Sequence, residues 1–317
     1  MTLSTLKTAV IQHAVFQPCS TNPPITPSIG WHEWNKAKTT SDLIEKIRQA
    51  AQQQAQLIVL TELHSAPYFC QSENTGYFEL AEHLDNSPTL QALLHVAAET
   101  NVVLVGSIFE KRMAGVFHNT SVVIDGDKGL AGIYRKTHIP DDPGFYEKYY
   151  FVPGDYSADQ AYRPVETRVG KLGVLICWDQ WYPEAARLMA LAGADVLIYP
   201  TAIGWDPQEK KDEQLRQQEA WLTVQRGHAV ANHLPVVIAN RVGFEQEPNS
   251  ASSGIQFWGN SALIGPQGEF LARGAEDKEE ILIYDLPLHR TESLRRLWPF
   301  LRDRRIDLYS GLLNRVR

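Results

Sequence analysis

The sequence predicts an α/β protein of layered sheets and helices. Two patterns carry that expectation. Short continuous apolar runs, Leu57-Ile58-Val59-Leu60, Val174-Leu175-Ile176-Cys177 and Val196-Leu197-Ile198-Tyr199, have the length and composition of strands buried on both faces. Between them lie longer segments with apolar residues at helical spacing. Strands alternating with helices in this way stack as layers around a common core.

Taken in order, residues 8–12 read as the first strand. Residues 16–35 hold Pro18, Pro23, Pro24 and Pro27 and read as a loop. A helix is expected over 39–56, with Leu43, Ile47 and Ala50 on one face and Thr40 or Ser41 as cap. Strand 57–60 ends at Thr61-Glu62. A helix over 89–100 follows, with Leu90, Leu93, Leu94 and Ala97 on its inner face, and then a strand over 102–109. Residues 121–124 and 132–134 flank Asp125-Gly126-Asp127, a hairpin signal. Lys136 opens a long loop through Pro140 and Pro143 into the aromatic run 145–151. Gly170-Lys171 reads as a turn feeding the strand 174–177. A helix over 183–192 starts on Pro183, which suits a first turn, and stops at Gly193. Strand 196–199, the loop 200–206, a long helix over 213–232, and strands at 236–239, 261–264 and 281–284 complete the chain before a basic, aromatic tail over 292–317.

Composition narrows the class. The chain has 317 residues, 44% of them hydrophobic and 21% charged, which is enough for a large core. No repeat, low-complexity tract or linker divides it, so one domain over 1–317 is expected. No apolar run reaches the length of a membrane span, and the N-terminus lacks a signal peptide's apolar centre. The three cysteines, Cys19, Cys70 and Cys177, form no disulfide framework and suit the cytoplasm. A net charge of −7 argues against nucleic acid as a partner and mildly favours a cationic small molecule, although solubility alone would explain it. There is no metal-ligand spacing and no phosphate-binding glycine loop, so neither metal nor cofactor is expected.

Chemistry concentrates at strand ends. Cys177 sits where a buried strand gives way to a helix-bearing loop, the place where α/β folds bind ligands. Alone, such a cysteine is more often a small buried hydrophobe. Glu62 and Lys136 stand at two other strand ends, and if those strands are neighbours the three side chains converge. A carboxylate can take a thiol proton, a lysine and the Trp178 backbone N–H can stabilise an oxyanion, and the thiolate can attack an acyl carbon. Helix N-termini and cations would lower the thiol pKa.

In their order and spacing, Thr61-Glu62-Leu63, Tyr134-Arg135-Lys136 and Ile176-Cys177-Trp178-Asp179 resemble the carbon–nitrogen hydrolases of the nitrilase superfamily. The resemblance runs from Lys7 to Tyr309. It implies a four-layer α-β-β-α sandwich, a Glu62–Lys136–Cys177 triad with Glu147 as a second glutamate, and subunits that pair into a homo-oligomer, for which the tail 292–317 is the expected contact.

Within that family, Pro67-Tyr68-Phe69-Cys70-Gln71, the run Cys177–Arg187, Tyr199–Gly204 and Trp298–Arg305 look most like the branch acting on N-carbamoylputrescine. That implies hydrolysis of a small cationic carbamoyl substrate to putrescine, carbon dioxide and ammonia through a thioester-type intermediate. Burying the substrate ammonium requires an acidic partner. Asp206 stands in the loop where plant members carry a glutamate. Tyr68, Trp178 and Trp205, with Ala202, are the expected lining of the tetramethylene channel. The alternatives are a β-ureidopropionase or ω-amidase, whose carboxylate substrates call for Arg or Lys at the Asp206 position, and a silent binding relative. The Pro-rich segment 16–34 is longer than the branch leads one to expect.

Overall fold

The computed structural model describes residues 4–15, 29–158, 160–247 and 253–316. Two six-stranded sheets form its centre. The first has the order β15-β1-β2-β3-β4-β5, made of β1 (Leu6–Gln12), β2 (Leu57–Val59), β3 (Val103–Met113), β4 (Val116–Asp125), β5 (Gly129–Arg135) and β15 (Glu280–Leu286). The second has the order β14-β13-β10-β8-β7-β6, made of β6 (Val165–Thr167), β7 (Gly170–Val174), β8 (Val196–Thr201), β10 (Val236–Asn240), β13 (Ala262–Ile264) and β14 (Phe270–Arg273). In each sheet the inner strands run parallel and the outer ones antiparallel. A small third sheet joins β9 (Gly204–Trp205), β11 (Val242–Glu245) and β12 (Ile255–Trp258).

Strand alternation explains the continuous apolar runs. Leu57 and Val59 meet Val196 and Ile198 in the layer between the two sheets. Their neighbours Ile58 and Leu60 face the opposite way, onto Leu43, Ile47 and Ala50 of α1 (Ile29–Gln52) and Leu90, Leu93 and Ala97 of α2 (Pro88–Thr100). On the second sheet Leu197 and Tyr199 pack against Ala185, Ala186 and Met189 of α4 (Pro183–Leu191) and Trp221, Leu222 and Ala229 of α5 (Lys211–Asn232). A strand with apolar residues at every position is thus one face of the inter-sheet core and one face of a helix–sheet core. The result is four layers, α-β-β-α.

Several sequence expectations need correction. Helix α1 begins at Ile29, ten residues before the expected start, and runs straight through Thr40 and Ser41, so neither caps it. Its extra turns follow the last proline, Pro27, after which no residue blocks helical φ or removes a donor. Residues 16–28, with Cys19, lie outside the described residues. The α2 cap is Ser87, whose Oγ accepts from Leu90 N. The ladder leading to Cys177 ends at Val174, and Leu175 N still donates to Ile198 O at 2.9 Å. Residues 170–171 open β7 rather than turning into it. The strands β6, β9, β11, β12 and β14 were not expected. They are short, and their alternation is too brief to rise above loop composition. No helix of the described residues is long and apolar enough to cross a membrane.

Candidate active site

Three strand ends converge, and the backbone shows how. Beyond β2, Leu60 N donates to Val105 O at 2.9 Å, and Glu62 N then reaches Thr201 O of the facing sheet. Glu62 therefore sits where the two sheets are stitched together. Lys136 follows β5 directly, its N–H donating to Asn119 O at 2.9 Å as a last rung beside β4. Glu147 opens the one-turn helix α3 (Glu147–Tyr150). Cys177 is the first residue of a short 3-10 turn, Cys177–Trp181, and holds φ at +41°. A non-glycine residue in that region costs about 1–3 kcal/mol, held in place by its surroundings.

The side chains form one buried cluster. Lys136 Nζ donates to Glu62 Oε1 at 2.8 Å and to Glu147 Oε2 at 2.7 Å, with all three side chains sealed from solvent. Asn119 Nδ2 donates a second bond to Glu62 Oε1 at 2.7 Å. Tyr68 OH donates to Glu147 Oε1 at 2.8 Å. Glu62 Oε2 has no hydrogen-bond partner among the described residues. Cys177 Sγ lies 3.9 Å from Ala202 O.

Electrostatics follow from this packing. Burial alone would depress the Lys136 ammonium, but Glu147 and Glu62 outweigh it and hold it well above the usual lysine value. Burial pushes Glu147 up to about 7, against the pull of Lys136. Burial also drives the Cys177 thiol well above its ordinary value; Glu62 adds to this and Lys136 only partly offsets it. The expectation of a thiol acidified by a helix N-terminus is therefore corrected. The following turn has only five residues, and desolvation with a neighbouring carboxylate dominates.

Asp179 fixes the Cys177 turn against the lysine loop. Its Oδ2 accepts from Ile176 N (2.9 Å) and Tyr134 OH (2.8 Å), and its Oδ1 accepts from Thr137 Oγ1 (2.9 Å) and His138 N (3.0 Å).

A sequence profile of the carbon–nitrogen hydrolases matches residues 7–296. The chain belongs to that family. It is 43% identical over 268 residues to the N-carbamoylputrescine amidase of Solanum lycopersicum, spanning 84% of this chain and 87% of that one. It is 38% identical over 281 residues to the citrullinase of Francisella tularensis, spanning 89% and 94%. The crystal structure of a carbon–nitrogen hydrolase from Helicobacter pylori G27 superposes with a TM-score of 0.89 at 47% identity, over 99% of this chain and all of that one. The protein is thus a carbon–nitrogen hydrolase by family, with the nitrilase-type fold.

The other expected site residues fall in two groups. Ala202 and Tyr68 border the cluster, Ala202 through its carbonyl and Tyr68 through its hydroxyl. Tyr68 holds Glu147 rather than only lining a channel, and its ring lies beside Phe145 and Phe257. Trp178 is half-buried with Trp181 edge-on at 6.3 Å. Trp205 is buried against Trp258. Asp206 is engaged locally: its Oδ1 accepts from Gln208 N at 2.8 Å and from Ser253 Oγ, and neither bond reaches the Glu62–Lys136–Glu147 cluster. Sequence reasoning gave no role to Asn119, Asp179, Arg241 or Glu245, all buried here. Asn240-Arg241 directly follows an apolar strand, the same signal that singled out Glu62, so Arg241 was within reach of that argument. Among the described residues no group of three or more His, Cys, Asp or Glu could hold a metal ion.

Proposed function

We propose that the protein hydrolyses N-carbamoylputrescine to putrescine, carbon dioxide and ammonia, with Cys177 as nucleophile. The observation that carries the chemistry is the buried Lys136 ammonium shared by two carboxylates, one of which has an oxygen with no hydrogen-bond partner among the described residues. In this reading Glu62 Oε2 takes the thiol proton as Sγ attacks the carbamoyl carbon. Lys136 and the Trp178 N–H donate to the developing oxyanion. Collapse expels one nitrogen of the urea group with the proton returned by Glu62, leaving a thioester-type adduct. Glu62 then deprotonates water for the second attack, and thiol and acid separate. The carbamic acid left over breaks down to carbon dioxide and the nitrogen that stayed behind: ammonia where putrescine left first, putrescine where ammonia did. Glu147, held by Tyr68, fixes Lys136 between the two carboxylates.

The substrate assignment rests on similarity to the plant N-carbamoylputrescine amidases at 41–43% identity. Asp206 supplies the charge for the far ammonium, with Trp178, Trp205, Ala202 and Tyr68 lining the approach. A second reading, citrulline, is favoured by the citrullinase relative and by Lys211, whose Nζ lies 5.3 Å from the centre of the Trp205 ring, where it could meet a carboxylate. Steady-state kcat/KM for N-carbamoylputrescine, citrulline and N-carbamoyl-β-alanine decides between them. A marked preference for the first supports the proposal, and a preference for either carboxylate substrate overturns it.

The molecule works as a homo-oligomer in this reading. Helix α6 (Leu288–Leu297) and the tail beyond it expose Leu297, Ile306, Leu308, Leu312 and Leu313, an apolar series that a second copy would cover. Cys70 and Cys177 are free thiols, which suits the cytoplasm.

A further inference from the structure

Arg241 has one of the largest fully buried side chains of the described residues, and it touches none of the groups assigned to the chemistry except through backbone. It stands between β10 and β11. Its guanidinium points at the loop leaving β2. Nε and Nη2 donate to Glu62 O at 3.3 and 3.1 Å, and Nη2 also reaches Leu63 O at 2.7 Å and Ala66 O at 2.9 Å. Nη1 donates to Glu245 Oε1 at 2.8 Å. The other oxygen of Glu245 accepts from Tyr68 N at 2.6 Å. One ion pair therefore grips both ends of the segment 62–68.

That segment needs a grip. Leu63 holds φ at +44°, a left-handed conformation that a leucine does not adopt without support. Its neighbour Glu62 must keep Oε1 on Lys136 and Asn119 so that Oε2 remains presented. At the other end Tyr68 must keep its hydroxyl on Glu147. Three carbonyls turned to one guanidinium, with Glu245 its one ion-pair partner among the described residues, is a costly arrangement to bury for packing only. A lysine could supply the charge but not the planar fork that meets several acceptors at once.

We propose that the Arg241–Glu245 pair is a positioning device for the reaction: it sets the backbone of Glu62 and Tyr68 and thereby the base and the lysine–carboxylate cluster. The proposal rests on Glu62 being the base. Displacement of a reacting group by about 1 Å costs on the order of 100-fold in rate.

The test compares Arg241→Lys, Glu245→Gln and Glu62→Gln, each checked by circular dichroism and thermal melting and each assayed for kcat, KM and alkylation of Cys177 by iodoacetamide. Arg241→Lys is expected to lower kcat by roughly 30- to 300-fold with KM within about threefold, and to slow Cys177 alkylation, while the protein stays folded. Glu245→Gln keeps an acceptor for Tyr68 N and should lose about tenfold in kcat; it carries the test if Arg241→Lys does not fold. A folded Arg241→Lys with unchanged kcat, or with its loss confined to KM, overturns the positioning role, as does a folded Glu245→Gln with unchanged kcat. The two layers separate cleanly. An inactive Glu62→Gln beside a fully active Arg241→Lys removes only the positioning role, whereas an active Glu62→Gln removes the base itself.

Discussion

Replacing Lys136 with methionine tests the central cluster by stability as well as by rate. Methionine keeps most of the chain's shape and removes the ammonium, leaving Glu62 and Glu147 buried beside each other without their cation. Breaking a buried ion pair from one side costs about 3–5 kcal/mol. Proton uptake by one carboxyl limits that cost at low pH. The native Glu147 already sits at about 7 because of burial, and without Lys136 it must move higher. A carboxyl whose folded pKa exceeds its unfolded value keeps the folded state protonated longer, so stability falls as pH rises through that window. The gap between native and variant should therefore widen from pH 7 to about 8.5, by about 1.4 kcal/mol per pH unit, or roughly 2 kcal/mol. For 317 residues the unfolding entropy is about 0.7 kcal/mol/K, which makes the full cost about 4–8 °C in Tm and the pH-dependent part about 3 °C. Calorimetry of both proteins at pH 6, 7 and 8.5 measures it. A Tm difference independent of pH, or a variant as stable as the native protein, refutes the picture of two carboxylates sharing one lysine. Turnover in the same variant should fall by at least about a thousandfold.

Other outcomes follow from the same contacts. With Glu147 ionised in the working enzyme, kcat/KM should rise with pH through about 7, and Glu147→Gln should lose that limb; a limb that persists in the variant belongs to another group. Asp206→Asn should lower kcat/KM for carbamoylputrescine and spare an uncharged carbamoyl alkylamine of the same length. Because Asp206 is half-exposed, the loss should lie near the lower end of the range for truncated charge pairs, about 30-fold, and equal losses on both substrates would mark it as a loop-holding residue through Gln208 and Ser253. Truncation after Leu288 should reduce the native mass in light scattering, and an unchanged mass would remove the tail from the subunit contact.

Much of the fold was legible because burial leaves its mark on composition. Strands covered on two faces must be apolar throughout, so 57–60 and 196–199 announced themselves. The start of α1 was hidden because Gly30, Trp31, His32 and Asn35 carry no strong helical period, and the preceding prolines made the whole stretch resemble loop. Glu62, Lys136 and Cys177 were legible as reactive side chains at strand ends, but their meeting depends on which strands lie side by side, and that came from the family resemblance. The Tyr68–Glu147 bond and the Arg241 grip join residues 79 and at least 175 positions apart in sequence. No local pattern encodes such contacts. The thiol's raised pKa was missed for the same reason: desolvation is a property of the assembled layers, while the helix that prompted the opposite expectation was visible in the sequence.

The most direct test of the account is the covalent intermediate. Rapid mixing of the native protein with N-carbamoylputrescine, acid quench and peptide mass mapping should find an acyl adduct on the peptide carrying Cys177 and none on those carrying Cys19 or Cys70. The adduct's mass also tells which nitrogen leaves first, since departure of putrescine leaves a carbamoyl group and departure of ammonia leaves the substituted one. Cys177→Ala should stay folded, form no adduct and turn over no substrate. Turnover by folded Cys177→Ala, or an adduct on any other residue, would contradict the mechanism at its root.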